Sequence, residues 1–596
     1  MTLYSKNVII LGNIFYKEDN VEDNNVVLDS LIFPAKHLPK CFSNYDLYSE
    51  FETIYNQYDS LVDILNDNFS LRGEKINEFK GFKDENYGLK KGTEPINIYI
   101  SKPNGANRVL AVVNPLVLIP LHFYINYYSD EILKEQLDAT NNYESSSKFF
   151  FVEGKFVRLY DYNGNPIISE FANMCQKNYK CSLMSKQKIC DGKYYHLGLD
   201  INNFFNSIYT HSISWKLLNN KNKIIFDNID YLTRTLNRNE TKGIAIGPYT
   251  SSLFSEIILS KVDRAIIETC KEKNISFTRF CDDYDFYCDS KEKLENDVRL
   301  MISENLSEYK LDLNMNKLKL EEFPFVSMNT IQNKHIFLLM KRIKENNYEN
   351  SLEFVEDVMN EINNAIKIKY SNCNYLLKIL KTKIAQKVIT SDFFENDTAE
   401  ILLDFLINMA FKQNMIATDV FNLIIEIFNL IQLDKNRIVV KWIKKRNSRI
   451  SHIKEIIDIW LAYLIIKLKV CDNVCDNYML EIMKNSDLCA ILAFEYFYNN
   501  NLFDKYKNNV YDYLSLIKIE LSSRYGDNWR KACYYSRFWL FFYTNSIRWK
   551  IHKKSGFYDS IFSDLDLYDL IIEEKMHSQL KLFKIMFENN IEFVVF

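Results

Sequence analysis

The chain has 596 residues, 47% of them hydrophobic and 15% aromatic, too many for one core and too apolar for wholesale disorder, so two to four domains are expected. Its 74 basic and 78 acidic residues leave a net charge of -4. A protein that grips long nucleic acid across its surface spreads basic charge over it, so any nucleic-acid contact this chain makes is expected to be confined to a local channel.

The first segment, MTLYSKNVIILGN, has too short an apolar run for a secretory signal. Ile96 to Ile100 alternates isoleucine with polar or amphipathic residues, which predicts a half-buried strand. The turn Lys102-Pro103-Asn104-Gly105 follows it. Tyr194 to Leu199 reads as a strand running into Asp200, and Phe277 to Cys281 as a strand running into Asp282. Tyr284 to Cys288 then reads as the return arm of a hairpin, with helices predicted over 249–273 and 291–309. After Pro324 there is no proline, and no glycine stands between Gly247 and Gly526. Without these punctuators, helices joined by Asn, Asp and Lys turns are expected. Apolar residues recur at helical spacing in 401–407, 420–428 and 453–468, suggesting a stack of helical hairpins without a strict repeat signature. The longest apolar stretch, Ile459 to Ile466, is eight residues and too short to span a bilayer. Cys471 and Cys475 have no second pair or histidine cluster to complete a zinc site, so the twelve cysteines read as reduced thiols of a cytoplasmic protein.

Chemistry is carried by an ordered trio. Asp200 in YYHLGLDINNFF is followed 82 residues later by Asp282 and Asp283 in RFCDDYDFYC, with GIAIGPYTSSLFSEI between them. Strand-borne carboxylates are hard oxygen donors suited to Mg²⁺, and nucleotidyl transfer uses two such ions about 4 Å apart. Asp200 and Asp282 are the natural bridging ligands, while Asp283 points the other way along a strand. Arg108 and Lys102 are candidates for holding a triphosphate. Lys317 or Lys319 would neutralise departing pyrophosphate. The basic run 435–454 is either a solvated helix face or a contact for nucleic acid. Arg548 and His552 are spaced too closely for the Arg…His pair of a HEPN ribonuclease.

DINNFFNSIYTHSISW resembles motif A of reverse transcriptases, most closely the abortive-infection, defence-associated group and its AbiK branch. GIAIGPYTSSLFSEI is similar to their motif B, and FCDD stands at their Tyr-x-Asp-Asp box with Phe280 in place of tyrosine. Residues 313–319 with Phe323-Pro324-Phe325 resemble motif D and its sequel, and IYISKPNGANRVLAVVNP resembles the fingers segment. The resemblance covers about 95–326. It implies an α+β fold: an N-terminal extension over 1–90, right-hand fingers and palm over 91–330, and a HEAT-like helical-repeat domain over 331–596 in place of a thumb. It also implies that Phe205 is the ring that excludes a ribose 2′-OH, against simple core packing beside Phe204, and that Ile201 and Gly247 line the nucleotide. His211, shared with the abortive-infection group, would order its loop.

The implied activity is an antiphage DNA polymerase that adds dNTPs with two Mg²⁺ ions (or Mn²⁺). It would be protein-primed and template-independent, with its DNA attached covalently and a trimeric or hexameric assembly. Two alternatives stand beside it. One is a polymerase that copies a dedicated non-coding RNA or works with a partner protein. The other is an inactive scaffold that senses a phage component, though ungrouped charges would suit a scaffold better than clustered carboxylates.

Overall fold

The computed structural model describes residues 32–34, 37–71, 79–82, 91–101, 107–137, 149–152, 155–158, 189–325, 334–368, 370–449, 454–552 and 580–596. Lys102 and the turn that holds it lie outside these residues.

The alternating isoleucines form β1 (Ile96–Ser101), which pairs antiparallel with β2 (Asn107–Val112). Ile96, Ile98 and Ile100 are buried while Tyr99 is exposed, the period of a strand with one wet face. Helix α1 (Pro115–Tyr127) follows at once. Asn114 caps it by accepting the Leu116 N–H at 3.0 Å, and Pro115 fits the first turn, where no N–H is needed.

The central sheet has four strands: β3 (Tyr195–Asp200), β4 (Ser276–Phe280), β5 (Asp283–Cys288) and β6 (Lys319–Glu322). Their order is β6-β3-β5-β4, antiparallel throughout. Helices α2 (Lys223–Thr235) and α3 (Tyr249–Glu272) lie between β3 and β4 in the chain. A wide-turn helical segment, Lys293–Val298, runs into α4 (Arg299–Ser307). Period-two alternation divides the sheet. Leu197, Leu199, Tyr284 and Phe286 are buried on one face, where the Phe277, Tyr284 and Phe286 rings stack with centroids 5.3–6.4 Å apart. His196, Gly198 and Asp200 share the opposite face with Asp283 and Asp285.

From residue 334 the described chain is helical. In order come α5 (Lys334–Glu345), α6 (Ser351–Ile368), α7 (Tyr370–Ala385), α8 (Asn396–Lys412), α9 (Ala417–Leu430), α10 (Lys435–Arg449), α11 (Glu455–Lys467), α12 (Asn473–Ile482), α13 (Asp487–Asn499), α14 (Lys507–Tyr525), α15 (Trp529–Tyr535) and α16 (Trp539–His552). Each helix from α6 to α11 packs on the one two places further on, so α6, α8, α10 and α12 form one row and α7, α9, α11 and α13 a second. The apolar periodicity is fully used: α11 buries every residue from Ile456 to Ile466, because it is covered on all sides. None of the described helices is long and apolar enough to cross a membrane.

The helical stack grips β1 by its free edge. An edge strand leaves alternate N–H groups unpaired, and these need partners. Tyr99 N–H donates to the Glu455 carboxylate at 3.1 Å, and Ser101 N–H to Asn414 Oδ1 at 3.1 Å. Asn114, while capping α1, also donates through Nδ2 to the Tyr534 carbonyl at 2.8 Å.

Candidate active site

Backbone pairing brings the carboxylates together. Asp200, last residue of β3, lies opposite Asp283, first residue of β5, and Ile201 N–H donates to the Asp282 carbonyl at 3.3 Å. Asp200 is 8% exposed, Asp282 is half-buried, and Asp283 lies at the exposed edge. Lys317 Nζ stands 2.7 Å from Asp200 Oδ2, and Asn314 Nδ2 donates to Oδ1 at 3.2 Å. Lys317 arrives on a one-turn helix, Met315–Lys317, whose cap Asn314 also donates its own N–H to the Asp200 carbonyl at 2.8 Å. Lys319 turns away and pairs with Glu321 at 2.5 Å. Of the two lysines considered from the sequence, the structure sets Lys317 at the carboxylates.

Three acids at one crossing repel each other when ionised. Burial raises the Asp282 pKa, Asp200 adds to the rise, and Lys317 and Arg108 pull it back. Asp283 is pushed up to about 7 by lost hydration, then by the charges of Asp282 and Asp200 and a hydrogen bond to Asp200. Solvent at its exposed edge screens part of that rise. Among the described residues no three His, Cys, Asp or Glu side chains converge to hold a metal as they stand. The donor set still fits a hard divalent cation, since it offers several carboxylate oxygens whose mutual repulsion a cation would relieve.

The tight turn between β4 and β5 is held from below. Cys281 adopts φ +52°, a left-handed conformation that costs a non-glycine residue energy and needs support. Arg279, 1% exposed, supplies it by donating to the Cys281 carbonyl at 3.0 Å. The same guanidinium pairs with Glu256 and Asp263 of α3, both at 2.6 Å, and Tyr284 donates to Asp263 at 2.9 Å. Helix α3, which follows the glycine segment, is thereby locked to the aspartate turn. On the open face His196, 2% exposed, places Nε2 2.8 Å from Asp285 and Nδ1 3.1 Å from Glu321, bridging β3 to both neighbouring strands. Neither device was read from the sequence. For Arg279 the one signal was a charge inside an apolar strand, and for His196 a histidine four residues before Asp200.

The other candidates fall as follows. Arg108 is exposed on β2 and near enough to Asp282 to act on its charge. Ile201 has its side chain in the core and pairs with Leu313. Phe205 is half-buried on the one-turn helix Phe204–Ser207, and its carbonyl accepts the Ile244 N–H at 3.0 Å. Gly247 has φ +137°, and a Cβ there would stand 3.0 Å from the Ala111 carbonyl, so the glycine segment can lie against β2 only without a side chain. Ala111 N–H donates to the Ile246 carbonyl at 2.8 Å. His211 Nδ1 lies 2.6 Å from Asp230 of α2, tying down its loop. The basic run on α10 is largely committed to other carboxylates. Arg437 and Lys441 pair with Glu400, Lys441 and Lys445 with Asp404, and Arg446 with Asp458 and Glu481. Arg548 is paired with Glu495.

A profile of the reverse transcriptase (RNA-dependent DNA polymerase) family matches residues 162–386, spanning the carboxylate sheet and the first helices of the stack. The chain therefore carries a reverse transcriptase domain. A relative, the retron Ec83 reverse transcriptase of Escherichia coli, is 30% identical over 120 residues, which is 19% of this chain and 38% of that protein. Telomerase of Candida tropicalis in its apo form overlaps 70% of this chain and 74% of its own at 12% identity and a TM-score of 0.28. Candida albicans telomerase with a telomeric RNA fragment overlaps 68% and 69% at 11% identity and a TM-score of 0.25. Superpositions this loose do not define a common fold.

Two outcomes are expected here. Arg279→Met leaves two buried carboxylates without their cation and should cost about 3–5 kcal/mol in chemical denaturation. Asp283 holds its proton up to a higher pH folded than unfolded, so its contribution is favourable at low pH and is lost as pH rises toward 7. Asp283→Asn should therefore stabilise metal-free protein at pH 8, by about 1 kcal/mol or less after screening, and leave its stability unchanged at about pH 3, below the ordinary carboxylate pKa.

Proposed function

We propose that the chain is a defence-associated DNA polymerase that adds dNTPs by two-metal nucleotidyl transfer at Asp200, Asp282 and Asp283. The observation that carries this is the pairing of Asp200 with Asp283 across β3 and β5, beside Asp282 and within a reverse transcriptase domain. Asp200 and Asp282 would hold the cations with Asp283 beside them; Mg²⁺ or Mn²⁺, when bound, activates the attacking hydroxyl and neutralises the leaving pyrophosphate. Arg108, reaching in from β2, steadies the triphosphate. Lys317 lies beside Asp200 and supplies charge, or a proton, to the pyrophosphate as the α-phosphorus–oxygen bond breaks. The half-buried Phe205 ring closes the space where a 2′-OH would sit.

The preferred mode is protein-primed and template-independent, with a HEAT-like helical half, a closed oligomer and a cytoplasmic setting. The commitment of α10 cations to carboxylates supports it, because that helix offers little free charge to a long template. A second reading, copying of an RNA, draws support from the family's description as RNA-dependent and from the retron relative.

The test is incorporation of single labelled dNTPs with Mg²⁺ by nuclease-treated protein, run on a denaturing protein gel. Label should migrate with the protein and fall at least ~10²-fold in Asp282→Asn. Label that needs added RNA or primer would establish the second reading; none under either condition would refute polymerisation. Phe205→Ala should raise ribonucleotide use relative to deoxynucleotide use by about 10-fold or more, measured as the ratio of kcat/KM values.

A further inference from the structure

A polar cavity of about 750 Å³ lies apart from the carboxylate cluster. Strand β1, the loop after α2, the first turns of α11 and α13, and α14 line it, and it is open to solvent on one side. Its charges are unevenly committed. Arg524 pairs with Glu94 and Glu520, at 3.2 and 3.1 Å, and Arg537 with Asp487 and Glu520, at 3.3 and 3.0 Å. Arg238 and Lys454, which also line it, make no ion pair with any described residue.

One carboxylate on the wall has no cation beside it among the described residues. Glu455 accepts only from neutral groups among the described residues, the Tyr99 N–H at 3.1 Å and the Ser486 hydroxyl at 2.7 Å. Burial raises its pKa, and burial pushes Asp487 up to about 7 against the pull of Arg537. Helices α11 and α13 both begin at the cavity with no side chain capping their first N–H groups. Tyr99 presents a ring that is 42% exposed.

We propose that this cavity binds a nucleoside phosphate. The phosphate would take the two uncommitted cations, Arg238 and Lys454. The base would give its N–H donors to Asp487 and Glu455 and lie against Tyr99. Guanine fits best, because its neighbouring N1–H and N2–H groups match the two oxygens of a carboxylate. The volume falls in the range that encloses ligands of this size, about 300–1,000 Å³.

Position gives the site a consequence. Glu455 holds the Tyr99 amide, and the next residue, Ile100, is paired with Arg108. An occupant would therefore bear on the strand that holds Arg108 beside Asp282, a link that rests on the polymerase reading. Binding itself does not rest on it.

Equilibrium dialysis of the full chain with labelled GMP in EDTA tests the site without any catalysis. Saturable binding at one site per chain is expected, stronger than that of inorganic phosphate. It should weaken at least ~10-fold in Arg238→Ala/Lys454→Ala and persist in Arg238→Lys/Lys454→Arg, which reports an intact fold. It should also persist in Asp282→Asn. No saturable GMP binding, binding indifferent to removal of both cations, or binding lost in Asp282→Asn would overturn the proposal.

Discussion

Three carboxylates stand together in this protein because the backbone holds them there against their own repulsion. Antiparallel pairing fixes Asp200 opposite Asp283, and the Ile201 amide fixes the level of Asp282. Burial, and after it the charge of the neighbouring carboxylates, raises the pKa values of Asp282 and Asp283. Two devices support the cluster. From above, Lys317 brings an ammonium to Asp200. From below, buried Arg279 braces the strained turn at Cys281 and joins it to α3. Such an assembly presents hard oxygen donors whose mutual repulsion a divalent cation would relieve.

The remainder of the molecule positions what must face that cluster. Gly247 lets the glycine segment lie against β2, which carries Arg108. The opposite edge of the hairpin is held by Glu455 and Asn414 of the helical stack. One connection between the helical half and the strand that carries Arg108 therefore runs through this hairpin, and the polar cavity lies on it. The cations of α10 are set in ion pairs that hold neighbouring helices to one another.

Much of this was legible in the sequence, for identifiable reasons. The strands around Asp200 and Asp282 announce themselves by apolar and aromatic runs that end in acids, and β1 by its alternating isoleucines. The long glycine-free region gave the helices, whose interiors tolerate few breakers. Long-range polar pairing was not legible. Arg279 meets Glu256 and Asp263, His196 meets Asp285 and Glu321, and the basic run on α10 meets Glu400 and Asp404, all across separations where no local pattern marks a partner. The choice between Lys317 and Lys319 needed the turn capped by Asn314, which aims only the first at Asp200.

We propose that Asp200, Asp282 and Asp283 form a cation site that a nucleotide completes. Titrating Mn²⁺ into the protein with a non-hydrolysable dNTP analogue, and counting bound ions by electron paramagnetic resonance, tests it most directly. Two ions per chain are expected in the wild type, with loss of binding in Asp200→Asn and in Asp282→Asn. Equal Mn²⁺ binding in all three proteins would contradict it.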